Sequence, residues 1–259
     1  HVLATSYDEP LLRQIRNGMQ GAGIRVETSK GEAWPGQQEI NFRFSDAVTM
    51  ADNHVVYKNG AKEIAHLNGC SITFMAKPDH TWIGSSCHIH SSLWRDGSAA
   101  FVSDDALFGQ YLAGQIACAR EFALFFAPNV NSYKRYASGS WAPTTLAWGM
   151  DNRTCGFRIV GSGAAKRVEC RIPGGDVNPY LAFAATIAAG LHGVEQSLSA
   201  PPAFEGNAYE SDVARFPHAL REAIDRLESS NVARRLLGDE VIDHYLNYAR
   251  TEQELFDKT

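Results

Sequence analysis

Hydrophobic positions recur along this chain with two periods, and the switches between them outline its elements. Near the start, Leu11, Leu12, Ile15 and Met19 share one stripe of a helix. Asp8 is its predicted cap, Pro10 stands in its first turn, and Gly21 and Gly23 close it. The period then drops to two. Ile24–Glu27 reads as a short strand, and Ile40, Phe42 and Phe44 alternate with Asn41 and Arg43 in the next. Between them lies the turn-rich KGEAWPGQQE. A helix is predicted from about Asp46 to His66, with Val48, Ala51, Val55 and Ile64 on its core side. Ser71–Ala76 and Cys87–Trp94 read as strands joined by the loop KPDHTWIGSS. The segment from about Asp104 to Phe126 is apolar nearly all round, as a buried helix is, and Pro128 stops it. The stretch 131–145 has no usable period and reads as a loop. Asn178-Pro179 predicts a cap and first position for a helix through about Val194. Beyond Pro201-Pro202 the chain reads as helical near Phe216–Leu227 and again from Val232 to the end.

The most informative stretch runs from Arg153 to Pro179. Two β-like segments, Arg153–Val160 and Lys166–Ile172, are joined by Gly161-Ser162-Gly163, a hairpin signal because such turns need positive φ. On the second segment Arg167, Glu169 and Arg171 face one way and Val168, Cys170 and Ile172 the other. A solvated sheet face with cross-strand ion pairs would account for those charges. So would an anionic ligand held by arginines beside a metal-binding carboxylate.

Composition narrows the class. With 259 residues, 44% hydrophobic and 20% charged, the chain is long enough for one large domain. A net charge of −5 and the lack of a basic run give no sign of nucleic acid or a membrane surface as partner. No apolar run would span a bilayer, and HVLATSYDEP does not read as a signal peptide. Five scattered cysteines without a C-x-x-C predict a reduced, cytoplasmic chain without structural zinc. With no internal repeat or long linker, one α+β domain over 1–259, an antiparallel sheet packed with helices, is the simplest architecture.

Three groups of residues carry candidate chemistry. Alternation puts His88, His90 and Ser92 on one face of their strand, with Cys87, Ile89 and Leu93 opposite. Glu32 and Glu39 bracket the Pro-Gly turn of EAWPGQQE; two carboxylates brought together repel unless a cation lies between them. Lys134, Arg135, Arg153, Arg158, Arg167 and Arg171 supply positive charge suited to carboxylate and phosphate. Arg153 and Arg158 have opposite strand parity, so they reach one site only past a bulge or if the strand begins after Arg153. Half-buried histidines and solvated glutamates would fit each group taken alone. Together the residues form an inventory for phosphoryl transfer from a metal nucleotide to an anionic substrate, without a P-loop or G-x-G-x-x-G.

Six ordered motifs resemble the catalytic domain of the glutamine synthetase family: GEAWPGQQEINFRFSDAVTMADN, ITFMAKP, GSSCHIHSSLW, NSYKRYASGSWAP, DNRTCGFRI and RVECRIPGGDVNPYLAFAA. The resemblance implies a curved antiparallel sheet flanked by helices. It implies ATP and two divalent ions, Mg²⁺ or Mn²⁺, with Glu32 and Glu39 as ligands of one and His88 and Glu169 of the other. Gly84, Arg135 and Arg171 match the glutamate-binding positions, and Arg153 and Arg158 the phosphate-binding arginines. His90, Ser92 and Arg167 fall where the family surrounds the nucleotide. Arg135, Arg153 and Trp141 are the expected catalytic positions.

Three departures bear on the acceptor. The flap glutamate that the family places before Ala-Pro is Trp141 here, Ile83 and Ser86 replace an Asn and a Gly, and Gly31 stands where a histidine is frequent. An indole is no base, but it packs against alkyl chains and attracts cations over its ring. These departures resemble the γ-glutamylamine-forming branch, whose members join glutamate to polyamines or ethanolamine. The expected activity is therefore ATP-dependent ligation of glutamate to an organic amine through γ-glutamyl phosphate. Glutamine synthesis from ammonia and a non-catalytic family member are the alternatives; a guanidino-kinase-like phosphotransferase does not fit GGDVNPYLAFAA or the GQQE turn. The resemblance also implies a homo-oligomeric ring of twelve subunits, and a chain that lacks the N-terminal β-grasp domain, a Glu-x-Glu strand and a C-terminal segment. Such a fragment is expected to be inactive alone.

Overall fold

The computed structural model describes residues 2–258, with side chains from Ser6 onward. In order, its elements are α1 (Val2–Gly21), β1 (Val26–Gly31), β2 (Gln38–Phe42), α2 (Ala47–Leu67), β3 (Ile89–Ser91), β4 (Trp94–Arg95) and β5 (Ser98–Ala99). There follow α3 (Ala100–Ser103), α4 (Asp105–Cys118), α5 (Ala123–Phe126), α6 (Val130–Tyr133), β6 (Trp148–Met150), β7 (Phe157–Val160) and β8 (Arg167–Cys170). The chain ends with α7 (Pro179–Glu195), α8 (Leu220–Glu228), α9 (Asn231–Leu237) and α10 (Asp239–Asp257).

The class is α+β, as the pattern predicts. β1 and β2 form an antiparallel hairpin, β4 and β5 a second, and the central sheet runs β3-β8-β7-β6. β3, β8 and β7 pair antiparallel, whereas the edge strand β6 lies parallel to β7. That parallel pair is closed by only the turn 151–156, so the residues of the turn crowd the end of β6.

The main core lies between the central sheet and the helices, where Phe122, Phe125, Phe157, Ile159, Val168 and Ile172 are buried. A smaller core joins α1, α2 and the β1–β2 hairpin around Ile15, Met19, Ile24 and Ala61. α4 and α7 cross at backbone contact. A methyl group on Gly114 would overlap the Ala189 carbonyl oxygen, and one on Gly193 that of Gln110. Asn178 caps α7 as predicted, its side chain accepting from the amides of Tyr180 and Leu181. Asp46 caps α2 by accepting from Thr49 N at 3.0 Å.

Several predicted boundaries move. α1 runs upstream through Asp8 and Pro10, so neither residue starts it. Its turns beyond Pro10 are held by Glu9, which pairs with both Arg13 and Arg16. Ser71–Ala76 joins no sheet; Ile72 and Phe74 instead pack onto the smaller core. The Cys87–Trp94 strand shrinks to β3 because the paired length of β8 is short. The long apolar helix breaks between α4 and α5, where 119–122 close in tighter turns. The 131–145 loop opens with the last turns of α6. The central hairpin connection includes a 3-10 turn at Gly163–Ala165. Val48 is exposed, since α2 buries Ala51, Ala61 and Ala65 instead. Gly238, at φ +86°, splits the C-terminal helix into α9 and α10; Thr259 lies outside the described residues. Among the described residues no helix is long and apolar enough to cross a membrane.

Candidate active site

Glu169 is the centre of the charged cluster. It sits in the middle of β8, 2% exposed, between the buried Val168 and Cys170. Register sets His90 opposite it on β3 and Arg158 opposite it on β7. His88 Nδ1 lies 3.1 Å from its Oε1. Arg171 donates to Oε1 at 2.7 Å and Arg158 to Oε2 at 2.9 Å. Burial alone would raise this carboxyl. The hydrogen bond from His88 and the charges of Arg171 and the histidines overcome that and hold it well below the usual carboxylate range. Burial lowers His88 in turn, while Glu169 opposes the shift.

The arginines divide by how much of their hydrogen-bonding capacity the protein uses. Arg158 is committed, to Glu169 and, through Nε at 2.8 Å, to Asp151. Arg167 Nε donates to His90 Nδ1 at 3.1 Å. Arg135 is buried, with its guanidinium over the Tyr136 ring and Nη2 on the Ile172 carbonyl, yet its Nε is buried without a hydrogen-bond partner. The Nε of Arg171 is equally unpartnered. Buried donors seldom go unpaired, and two unspent N–H groups on buried guanidinium ions suit an anionic ligand. Arg153, in the turn after β6, is exposed and has no described partner.

Glycine 84 sets the distance between the two halves of the cluster. A Cβ there would lie 2.5 Å from Arg135 Cγ and 2.7 Å from the Ala76 carbonyl oxygen, so only glycine fits against the arginine stem. Its own carbonyl accepts from Gln37 Nε2 at 3.0 Å, which fastens the β1–β2 turn to this position. On that hairpin Lys30 stands between the two glutamates, 2.6 Å from Glu32 and 3.4 Å from Glu39. A lysine of the same hairpin, directly across from Glu39, thus lies between the two carboxylates expected to hold a metal ion. Burial would raise Glu39, but a hydrogen bond from Asn41 Nδ2 at 2.7 Å and the Lys30 charge leave it lowered.

Trp141 follows a loop of four residues after Tyr136. It is 55% exposed, with a left-handed φ of +63°. Its carbonyl accepts from Arg171 Nη2 at 3.4 Å, and that of Ala142 from the Tyr209 hydroxyl at 2.9 Å. Trp141 and Arg153 border one open cleft of 570 Å³, walled also by Met150, Phe204 and Glu205.

The predicted residues therefore gather into three neighbouring groups. His88, His90, Arg158, Arg167, Glu169 and Arg171 meet on the central sheet. Gly84 packs on Arg135, and Glu32 and Glu39 share Lys30. Ser92 lies beyond β3, and its hydroxyl accepts from Trp94 Nε1 at 3.0 Å. The start of β7 at Phe157 resolves the parity of Arg153 and Arg158, since Arg153 precedes the strand.

Sequence reasoning passed over Lys30, Asp151 and Asp176. Lys30 was detectable, because a cation two residues before Glu32 shares its strand face. Asp151 reaches Arg158 across the parallel turn, which no local pattern marks. Asp176 accepts from Ser132 Oγ at 2.6 Å and Asn129 Nδ2 at 3.2 Å, pinning the segment that leads to Arg135.

Among the described residues no three His, Cys, Asp or Glu side chains converge as a metal site. The donors come as two pairs, Glu32 with Glu39 and His88 with Glu169. Oxygen donors with one imidazole suit Mg²⁺ or Mn²⁺, which retain water and phosphate ligands, so each pair fits part of such a site.

The chain matches the family model described as glutamine synthetase, catalytic domain, over residues 1–259. It is 54% identical to the γ-glutamylethanolamide synthetase of Streptomyces coelicolor, over 99% of this chain and 56% of that protein. It is 41% identical to a glutamate–isopropylamine ligase of a Pseudomonas species, over 94% of this chain and 56% of the relative. A solved GmaS complex with ADP superposes with a TM-score of 0.90 at 31% identity, covering 96% of this chain and 61% of its own. The chain thus spans a little over half the length of these curated relatives. By the full-length family match, by its sequence and by its fold, the chain belongs to the glutamine synthetase catalytic-domain family.

Proposed function

We propose that the protein containing this chain joins glutamate to an organic amine at the expense of ATP. The observation that carries this reading is Trp141, an exposed indole at the flap position of a site otherwise furnished for phosphoryl transfer. The two relatives named for ethanolamide and isopropylamine products support it.

In this reading a γ-carboxylate oxygen of glutamate attacks the terminal phosphorus of ATP, and ADP leaves with the bonding electron pair. The amine nitrogen then attacks the acyl carbon, phosphate departs, and the nitrogen gives up a proton. Two anions must meet in the first step, so positive charge is the main requirement. Arg135 and Arg171 offer their unspent Nε–H groups to the glutamate carboxylates. Gly84 lets Arg135 approach and presents its backbone beside the substrate. Arg153 and Arg158 face the transferring phosphoryl group, and Arg158 exchanges its hold on Asp151 for that charge. His90, Ser92 and Arg167 surround the nucleotide. Glu32 with Glu39, and His88 with Glu169, are the donors for divalent cations. Bound there, such cations would screen the charge of the phosphates. Trp141 covers the acyl phosphate from water and packs on the alkyl part of the amine. As in the family, the working form is a homo-oligomeric ring of longer chains.

Phosphate release by the full-length protein, with glutamate, ATP and Mg²⁺, tests the reading across ammonium, ethanolamine, putrescine and spermidine. Turnover with an organic amine and little with ammonium is expected. Trp141→Glu should restore ammonium use and lower the organic-amine to ammonium ratio by at least about tenfold, one oriented charge being worth roughly that. Preference of the unaltered protein for ammonium would make it a glutamine synthetase with a substituted flap.

A further inference from the structure

Trp141 is held in a backbone conformation that a bulky residue rarely adopts. Its φ of +63° lies in the left-handed region, where the Cβ crowds the carbonyl that follows. Such a conformation persists only where its surroundings over-determine it. Within the flap, the Ser140 hydroxyl donates to the Ala137 carbonyl at 2.6 Å and ties back the residue before the indole. Beyond the flap, two side chains reach it. Arg171 Nη2 donates to the Trp141 carbonyl at 3.4 Å, and the Tyr209 hydroxyl to the Ala142 carbonyl at 2.9 Å. The tyrosine makes the shorter and stronger bond. Ala142 is buried, so its carbonyl has no ready replacement donor in solvent. Tyr209 is itself well anchored. It stands in a 3-10 turn, Ala208–Glu210, and its amide donates to the Asn207 side chain at 3.2 Å. Ala208 is fully buried against Ala147 and Cys155, and its amide donates to Thr154 Oγ1 at 2.9 Å. The turn that bears Arg153 therefore supports the ring that grips the flap. Burial raises the Tyr209 hydroxyl above the usual tyrosine range against the pull of the Arg171 and Arg135 charges, so it stays a donor.

We infer that Tyr209 is a positioning residue for the flap: its single hydroxyl holds the peptide after Trp141 and keeps the indole in place as the cover of the acyl phosphate. The covering role rests on the reading of Trp141 given above. Tyr209 touches no reacting atom, so its effect is on water. A released flap admits water to the acyl carbon. The water oxygen bonds to that carbon, the carbon–oxygen bond to phosphate breaks, and glutamate and inorganic phosphate are returned with a proton released. ATP is then consumed without amide.

Tyr209→Phe removes the hydroxyl and leaves the ring. The full-length enzyme is assayed with glutamate, ATP, Mg²⁺ and whichever of ethanolamine and ammonium it turns over. Phosphate released without matching amide should rise about fivefold in the variant, the worth of one neutral hydrogen bond, while KM for ATP and for glutamate is unchanged. Hydrogen-exchange protection, read with glutamate and a non-hydrolysable ATP analogue bound, should fall by a similar factor at 137–143 and stay level at 144–147 and 208–216. Unchanged protection at 137–143 overturns the inference. So does a loss spread evenly over the three segments, as a packing defect gives, or a loosened flap with no added phosphate release. The organic-amine reading fails separately: ammonium as the sole productive acceptor would remove it, and the exchange comparison would still decide whether Tyr209 holds the flap.

Discussion

Replacing Glu169 with Gln would leave Arg158, Arg171 and His88 facing a neutral amide. Removing one member of a buried charge cluster costs about 3–5 kcal/mol, because the remaining charges are left without compensation. Glu169→Gln should therefore lower stability by that order in a denaturant titration of the chain and abolish ATP turnover in the full-length protein. Gly84→Ala acts differently. Its new methyl group would press on the Arg135 stem and the Ala76 carbonyl, a crowding worth about 1–3 kcal/mol. Glutamate KM should rise at least about tenfold, since a displaced arginine is misplaced for its carboxylate. An unchanged KM in a folded variant would show that Arg135 does not serve that substrate. Both residues were named from the sequence, yet their reasons differ in legibility. The charged face of β8 follows from alternation, whereas nothing in the sequence around Gly84 announces that Arg135, fifty-one positions on, lies against it.

At the scale of elements, the α4–α7 crossing is the least forgiving contact. Gly114 and Gly193 let the two backbones touch, so Gly114→Ala has no flexible side chain to push aside. The helices must separate and shed packing, at a cost of about 3 kcal/mol or more, read as a lower denaturation midpoint. Asn178→Ala removes only the cap of α7 and should cost about 1 kcal/mol. The cap at Asn178 and the start of α2 near Asp46 were legible because capping is local chemistry, whereas the cap expected at Asp8 fails because the helix continues upstream of it. The missed elements share an opposite cause. The Ser71–Ala76 segment has strand-like composition, but its apolar side chains find a helix–hairpin core rather than a sheet edge. The parallel pairing of β6 is invisible in sequence because register between strands leaves no period of its own.

At the scale of the whole molecule, the active-site cluster bridges the large core and the smaller one built on α1, α2 and the β1–β2 hairpin. His88, Glu169 and the arginines stand on the large core, whereas Glu32 and Glu39 belong to the hairpin of the small one. The small core's helix α2 carries His54, whose Nε2 is buried without a hydrogen-bond partner. Burial, with Lys58 nearby, pushes this imidazole down to about 4. An unfolded histidine titrates near 6.5, so between about pH 6.5 and 4 the unfolded chain binds the extra proton. Stability from this group is complete above that window and is lost as the pH falls through it, by about 2 kcal/mol after allowance for partial exposure. Protection factors from hydrogen exchange, with the intrinsic pH dependence of the chemistry removed, should accordingly fall between pH 7 and 4.5 more in α2 than in α4 or α7. His54→Leu should narrow the difference; a uniform fall in protection would place the acid sensitivity elsewhere.

Lys30, lodged between Glu32 and Glu39, bears on how such a protein endures scarcity. A hairpin whose carboxylates carry their own tethered counter-charge does not wait for an ion before it can fold. Were these carboxylates to hold a divalent cation as proposed, its supply would govern how many molecules work, not how many survive. A cell short of the ion would then keep idle but intact protein, and recovery would need only the displacement of one ammonium group rather than a new round of synthesis.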